Sequence, residues 1–175
     1  MRRLKKLVKC VLQERLLASA VLRLKSCNIV LYKGAQYLFE KESCVVGNAK
    51  LHFNMPHYGN GFRKNGNLYL GKNAKLILNG PGMVFFYPGC KVDVFSGAQL
   101  VLGSGVYVND STRIGSKCSI IIGNDTVIGD DVSIHDFDGH KINEIEGIKP
   151  IEIGAHVWIG EKVVILKGVK IGDNA

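Results

Sequence analysis

The chain has no C-x-x-C pair, no long apolar run, and almost no net charge beyond its first 25 residues. Its five cysteines (Cys10, Cys27, Cys44, Cys90, Cys118) are odd in number and widely spaced, which excludes a zinc ribbon or a dithiol redox site. They read as reduced, mostly buried thiols of a cytoplasmic protein. The long charge-free stretch Leu76 to Cys90 contains Gly80, Pro81, Gly82, Pro88 and Gly89. It falls short of the roughly 20 apolar residues a membrane helix needs. At the N-terminus Glu14, Arg15 and Arg23 interrupt any apolar core, which argues against a secretory signal. Of the formal charge of +8, residues 1–25 carry +7, from eight Lys/Arg and one acid, leaving +1 on the other 150 residues. No basic folded face with interleaved aromatics follows, so nucleic-acid binding is not expected.

What is present is a 175-residue chain, 46% hydrophobic and 22% charged, enough for one domain with a sizeable core. Its 21 glycines are too many for an ordinary helical protein and do not recur every third residue, which excludes collagen. In the N-terminal segment, residues 1–25, Leu4, Leu7, Val8, Val11, Leu12, Leu16, Leu17, Val21 and Leu24 fall at helical spacing among basic residues, predicting an amphipathic helix. Two uses of its apolar stripe stand open: covering the end of the domain that follows, or a peripheral contact with an anionic membrane face.

From residue 26 the pattern changes. LYLGKNAKLIL (68–78) and VDVFSGAQLVL (92–102) share one layout at an offset of 24, and GNAKLHF (47–53) repeats the corner. Ile153, Ile159, Ile165 and Ile171 fall six apart, as do Ile122, Ile128 and Ile134. A 3.6-residue helix would scatter such a series around its cylinder. A short strand plus a corner, three times around, instead returns the chain to its start one strand spacing higher. Residues 26–175 are therefore expected to form an all-β, parallel β-helix, with the isoleucines stacked inside.

The beat breaks between Ile134 and Ile153, where HDFDGHKINEIEGIKP (135–150) intervenes. A regular coil offers little chemistry outside, so chemistry is expected where a loop escapes. With this loop, the VWIG at 157–160 and VYVNDSTRIG at 106–115, the sequence resembles the hexapeptide-repeat acyltransferases, especially sugar and polysaccharide O-acetyltransferases. The resemblance implies a left-handed β-helix, acetyl-CoA as acetyl donor, a carbohydrate acceptor, no metal, and a homotrimer with active sites between subunits. It implies His140 as the general base in D-x-D-x-H-x-I, with Asp136 and Asp138 fixing its tautomer or holding acceptor hydroxyls. It assigns donor-binding positions to Gly160 and Glu161, where Glu is an unusual side chain. Asn109 matches an acceptor-site Asn, and a plain turn Asn is the alternative reading. Trp158 packs against either the pantetheine arm or a corner or trimer interface. Lys167 is placed to meet cofactor phosphates or only solvent. The resemblance also fits polysaccharide assembly in the cytoplasm near the inner membrane face.

Two rival readings remain at this level. His135 and His140 are spaced like the zinc pair of gamma-class carbonic anhydrases, but no histidine lies between Phe62 and Ile134 to supply the third ligand. The other rival is a non-catalytic or truncated β-helix scaffold, because the sequence stops in mid-repeat at IGDNA (171–175). That ending is expected of a fragment of a longer protein, or of a short one with impaired donor binding.

Overall fold

The computed structural model describes residues 16–17, 22–24, 28–57, 64–142 and 145–175. From Ile29 onward they form a three-sided parallel β-helix. The first face stacks Ile29–Leu31, Lys50–Phe53, Met83–Phe86, Tyr107–Val108, Val127–Ile128 and Trp158–Ile159. The second stacks Gln36–Phe39, Asn67–Leu70, Lys91–Val94, Arg113–Ser116, Ser133–His135 and Val164–Leu166. The third stacks Cys44–Gly47, Lys75–Leu78, Gln99–Leu102, Ser119–Ile122, Ile151–Ile153 and Lys170–Ile171.

Alternation within each strand explains the stacking. In Lys91–Val94, Val92 and Val94 are buried while Lys91 is exposed and Asp93 half-buried. Inward residues line up in register as columns, Leu68, Val92, Ile114, Ile134 and Ile165 on the second face and Leu78, Leu102, Ile122, Ile153 and Ile171 on the third. Each fully buried Leu or Ile contributes about 2 kcal/mol of apolar burial. The offset of 24 is observed as one turn of the prism, since Leu68 pairs with Val92 and Lys75 with Gln99. AKLHF and AKLIL are not neighbours, however. Lys75 pairs with Cys44 on the third face and Lys50 with Met83 on the first, so the similar segments turn different corners.

The corner between the first and second faces is a tight turn that recurs coil after coil. Ser111, Asp131 and Lys162 occupy equivalent places with φ of 59°, 54° and 60°. Left-handed backbone there costs about 1–2 kcal/mol per residue, offset by hydrogen bonds to the previous coil. The N–H of Ser111 donates to Pro88 O, of Asp131 to Asp110 O and of Lys162 to Asp130 O.

Most of the segment predicted as an amphipathic helix lies outside the described residues. The parts described, Leu16–Leu17 and Leu22–Leu24, are strands that pair antiparallel with Gln36–Tyr37 and Ile29–Leu31. They complete the ladder bonds of two faces, which a helix could not do. Among the described residues no helix is long and apolar enough to cross a membrane.

Candidate functional site

The loop that breaks the beat leaves the prism at the corner between the second and third faces. It rises as an antiparallel hairpin, Phe137–Ile142 against Ile145–Ile148, and returns to the same rung. Ile114, Ile134 and Ile165 stay in register across it, as do Ile122 and Ile153.

Its neck is fastened by Asp136, which is fully buried. The carboxylate accepts from the backbone N–H groups of Lys117 (2.6 Å), Cys118 (2.9 Å) and Ser119 (2.7 Å), and from Ser116 Oγ (2.9 Å). Three successive N–H groups turned to one point form an anion nest, and here a side chain of the protein fills it. The Asp136 carbonyl accepts from the Lys149 N–H at 2.9 Å, joining the two feet of the loop. The resemblance assigns Asp136 to the His140 tautomer or to acceptor hydroxyls. Its oxygens are spent on the corner one coil below, and its role is to hold the loop.

Asp138 pairs with Lys167, Oδ1 to Nζ, at 2.5 Å. Gly147 makes room for the pair, since a Cβ there would lie 2.3 Å from Asp138 Oδ2 and 2.6 Å from Lys167 Cε. Lys167 thus meets a carboxylate of its own chain. The Asp138 backbone carbonyl, rather than its carboxylate, reaches the histidine: His140 Nδ1 lies 3.0 Å from Asp138 O. Between them Gly139 adopts φ +75°, a left-handed turn that brings the ring back over the preceding carbonyl. A carbonyl oxygen only accepts, so Nδ1 carries the proton and Nε2 of the neutral ring presents a lone pair. The ring is exposed. This is the tautomer a general base needs.

Beside the hairpin, His135 is half-buried and meets Phe137 edge-on at 5.5 Å. Burial holds its imidazole below the usual histidine range, with Asp93 opposing the shift and Arg113 adding to it. Phe137 in turn packs edge-on against Phe95 at 5.6 Å, with the Lys117 ammonium 4.4 Å from its ring centre. Gly115 lies beneath. A Cβ there would come within 2.7 Å of His135 Cδ2 and 3.2 Å of Phe137 Cε1.

The other sequence-predicted residues gather elsewhere. Asn109, Gly160 and Glu161 lie at the corner between the first and second faces, where Asn109 N–H bonds Ile128 O and Gly129 N–H bonds Ile159 O in successive rungs. The Asn109 carbonyl accepts from the buried Cys90 thiol at 3.1 Å, while its side-chain amide makes no bond to the described residues. A Cβ on Gly160 would meet nothing within 4 Å, leaving its backbone accessible. The Glu161 carboxylate pairs with Lys162 in solvent. Trp158, in the adjoining strand of the first face, is 77% exposed. Asn109 thus lies at the corner that precedes the strands of the second face, and His140 on the hairpin that leaves the prism at the corner that follows them. Among the described residues no three His, Cys, Asp or Glu side chains are grouped as a metal site would require.

The Asp136 nest and the space at Gly115 escaped sequence reasoning. Both depend on which residues become neighbours one coil apart, and neither has a local motif.

No family model matches the chain. It is 33% identical over 103 residues to the polysialic acid O-acetyltransferase of Escherichia coli O1:K1 / APEC, covering 55% of this chain and 30% of that protein. It is 31% identical over 100 residues to the putative lipopolysaccharide biosynthesis O-acetyl transferase WbbJ of Escherichia coli K12, covering 49% of this chain and 51% of that protein. It is 34% identical over 86 residues to the galactoside O-acetyltransferase of the same strain, covering 45% of this chain and 41% of that protein. The chain is thus similar, over about half of its own length, to proteins named as O-acetyltransferases of polysialic acid, lipopolysaccharide biosynthesis and galactosides. It spans about half or less of the length of these three relatives.

Proposed function

We propose that this protein transfers an acetyl group from acetyl-CoA to a hydroxyl of a sugar or polysaccharide unit, in the cytoplasm. The observation that carries the reading is the His140 ring, exposed on an escaped hairpin with Nδ1 engaged by the Asp138 carbonyl. Relatives named as polysialic acid and galactoside O-acetyltransferases support the choice of reaction and acceptor class.

In this reading Nε2 of His140 takes the hydroxyl proton as the oxygen attacks the thioester carbonyl. The tetrahedral oxyanion is met by backbone N–H groups at the Gly160–Glu161 corner. Collapse breaks the carbon–sulfur bond, and the departing thiolate takes the proton from His140. Asn109 orients the acceptor hydroxyl, and Trp158 covers the pantetheine arm. Because Asn109 and Gly160 occupy one corner and His140 another, one chain does not close the site alone. A second copy must bring its corner to the hairpin, which favours a homotrimer with sites between neighbours.

The test is release of free coenzyme A from acetyl-CoA, with the full chain and a panel of neutral and acidic sugars. Acceptor-dependent thiol release is expected. Binding of coenzyme A without turnover on any acceptor would reject the transferase reading.

A further inference from the structure

On the outer surface of the second face, Lys91 and Arg113 stand directly opposite one another on neighbouring parallel strands. Among the described residues this is the one in-register pair of like charge. Like charges so placed repel. The contrast within the same fold is Glu152 opposite Lys170, which pair across the third face at 2.9 Å. Neither Lys91 nor Arg113 makes a side-chain hydrogen bond or ion pair with the described residues, and Lys91 is met only by the field of Asp93, two residues along its own strand.

The two cations line a cleft of about 480 Å³, together with Lys64, Ser111, Ser133 and Asp131. Lys64 is held at its mouth by a bond from Nζ to Ser111 Oγ, 2.8 Å. Residues 26–175 carry a net charge of only +1, so three cations around one opening are a local concentration and not a share of a basic surface. The neighbouring carboxylate of Asp110 is taken by His57 Nε2 at 2.8 Å. The cleft begins two residues past Asn109 and runs along the start of Arg113–Ser116 and Ser133–His135.

We propose that this cleft binds a carboxylated sugar unit of the acceptor, making the preferred substrate an acidic glycan; the inference rests on the acetyl-transfer reading above. The planar Arg113 fork suits a carboxylate, and Lys91 and Lys64 supply point charges. Asp131, Ser111 and Ser133 suit the remaining hydroxyls. Asp131 accepts hydrogen bonds from a sugar but repels a phosphate dianion, which favours a polyhydroxylated monoanion per unit.

The experiment is calorimetric titration of the full chain, without acetyl-CoA, using a galacturonic acid tetramer, a neutral maltose-series tetramer and inorganic phosphate. The uronate is expected to bind, more weakly as salt rises, and to lose about tenfold in affinity in Lys91→Gln and in Arg113→Gln. Each variant relieves a like-charge repulsion, so its melting temperature should equal or exceed that of the parent chain. The proposal is overturned if the neutral tetramer binds as well, if phosphate binds more tightly than the uronate, or if the double variant binds the uronate unchanged. Charge-dependent uronate binding with no acetyl transfer to any acceptor would sink the transferase reading and leave the cleft standing. Transfer to neutral sugars with no uronate binding would do the reverse.

Discussion

The His140 ring is oriented by the residue two before it, Nδ1 to the Asp138 carbonyl at 3.0 Å, with the left-handed Gly139 as the hinge between them. His140→Ala, which removes the proposed base, is expected to lower kcat by at least about 10²-fold. Gly139→Ala keeps the imidazole but strains the turn by about 1 kcal/mol. It should therefore lower kcat less, with KM for acetyl-CoA unchanged. Steady-state kinetics of both variants check this, and equal activity in all three proteins would remove His140 from the reaction.

Asp136 anchors the hairpin from inside the protein. Asp136→Ala leaves the backbone N–H groups of Lys117, Cys118 and Ser119 without their acceptor, while the Ser116 hydroxyl keeps the Gln99 carbonyl. A loss of about 3 kcal/mol in stability is expected. Asp136→Asn should fall between, because one amide oxygen can still accept while its NH₂ faces donors. Denaturant melts measure the loss, and hydrogen exchange should quicken first at Lys117, Cys118 and Ser119.

A methyl at residue 115 would collide with the rings of His135 and Phe137. Gly115→Ala is expected to destabilise by about 1–3 kcal/mol and to reduce turnover by tilting the hairpin base. Adding His135→Ala opens that space, so the double variant should recover stability relative to Gly115→Ala. A thermal double-mutant cycle showing strict additivity would mean the two positions are uncoupled.

These positions mark where sequence reading stopped. The six-residue spacing of Ile153 to Ile171 and the offset of 24 between Leu68 and Val92 carried the prism directly, because inward columns must repeat with the coil. The failed beat marked the loop at 135–150, and the resemblance to the acyltransferases singled out His140 within it. Asp136 looked like a ligand contact, since a charged residue beside a candidate catalytic segment carries no local sign that it turns inward. The nest it fills is made by backbone at residues 117–119, which side-chain identity does not encode. Lys91 and Arg113 are 22 apart in the chain, and only the width of that particular coil makes them neighbours.

Burial pushes the Cys90 thiol up to about 12. Its folded pKa exceeds the unfolded value near 8.5, so its contribution to stability is complete below that pH. It is lost as the unfolded thiol ionises while the folded one cannot, between roughly pH 8.5 and 12, at up to about 1.4 kcal/mol per pH unit. Cys90→Ala should show a shallower decline of unfolding free energy over that range than the parent chain. In the native protein at pH 8, Cys90 should also remain unalkylated while the half-buried Cys44 reacts.

If His140 from one copy works with Asn109 from its neighbour, two crippled variants should rescue each other. Randomly mixed assemblies of His140→Ala and Asn109→Ala are expected to regain about a quarter of parental activity, the share of sites drawing both intact residues. Activity no higher than the mean of the separate variants would place both residues in a single subunit's site.

The hairpin departs from and rejoins the prism without shifting any column. Changes on the hairpin that spare Asp136 and His140 can therefore be made while the frame beneath keeps its packing, so the excursion is free to vary independently of the prism that carries it.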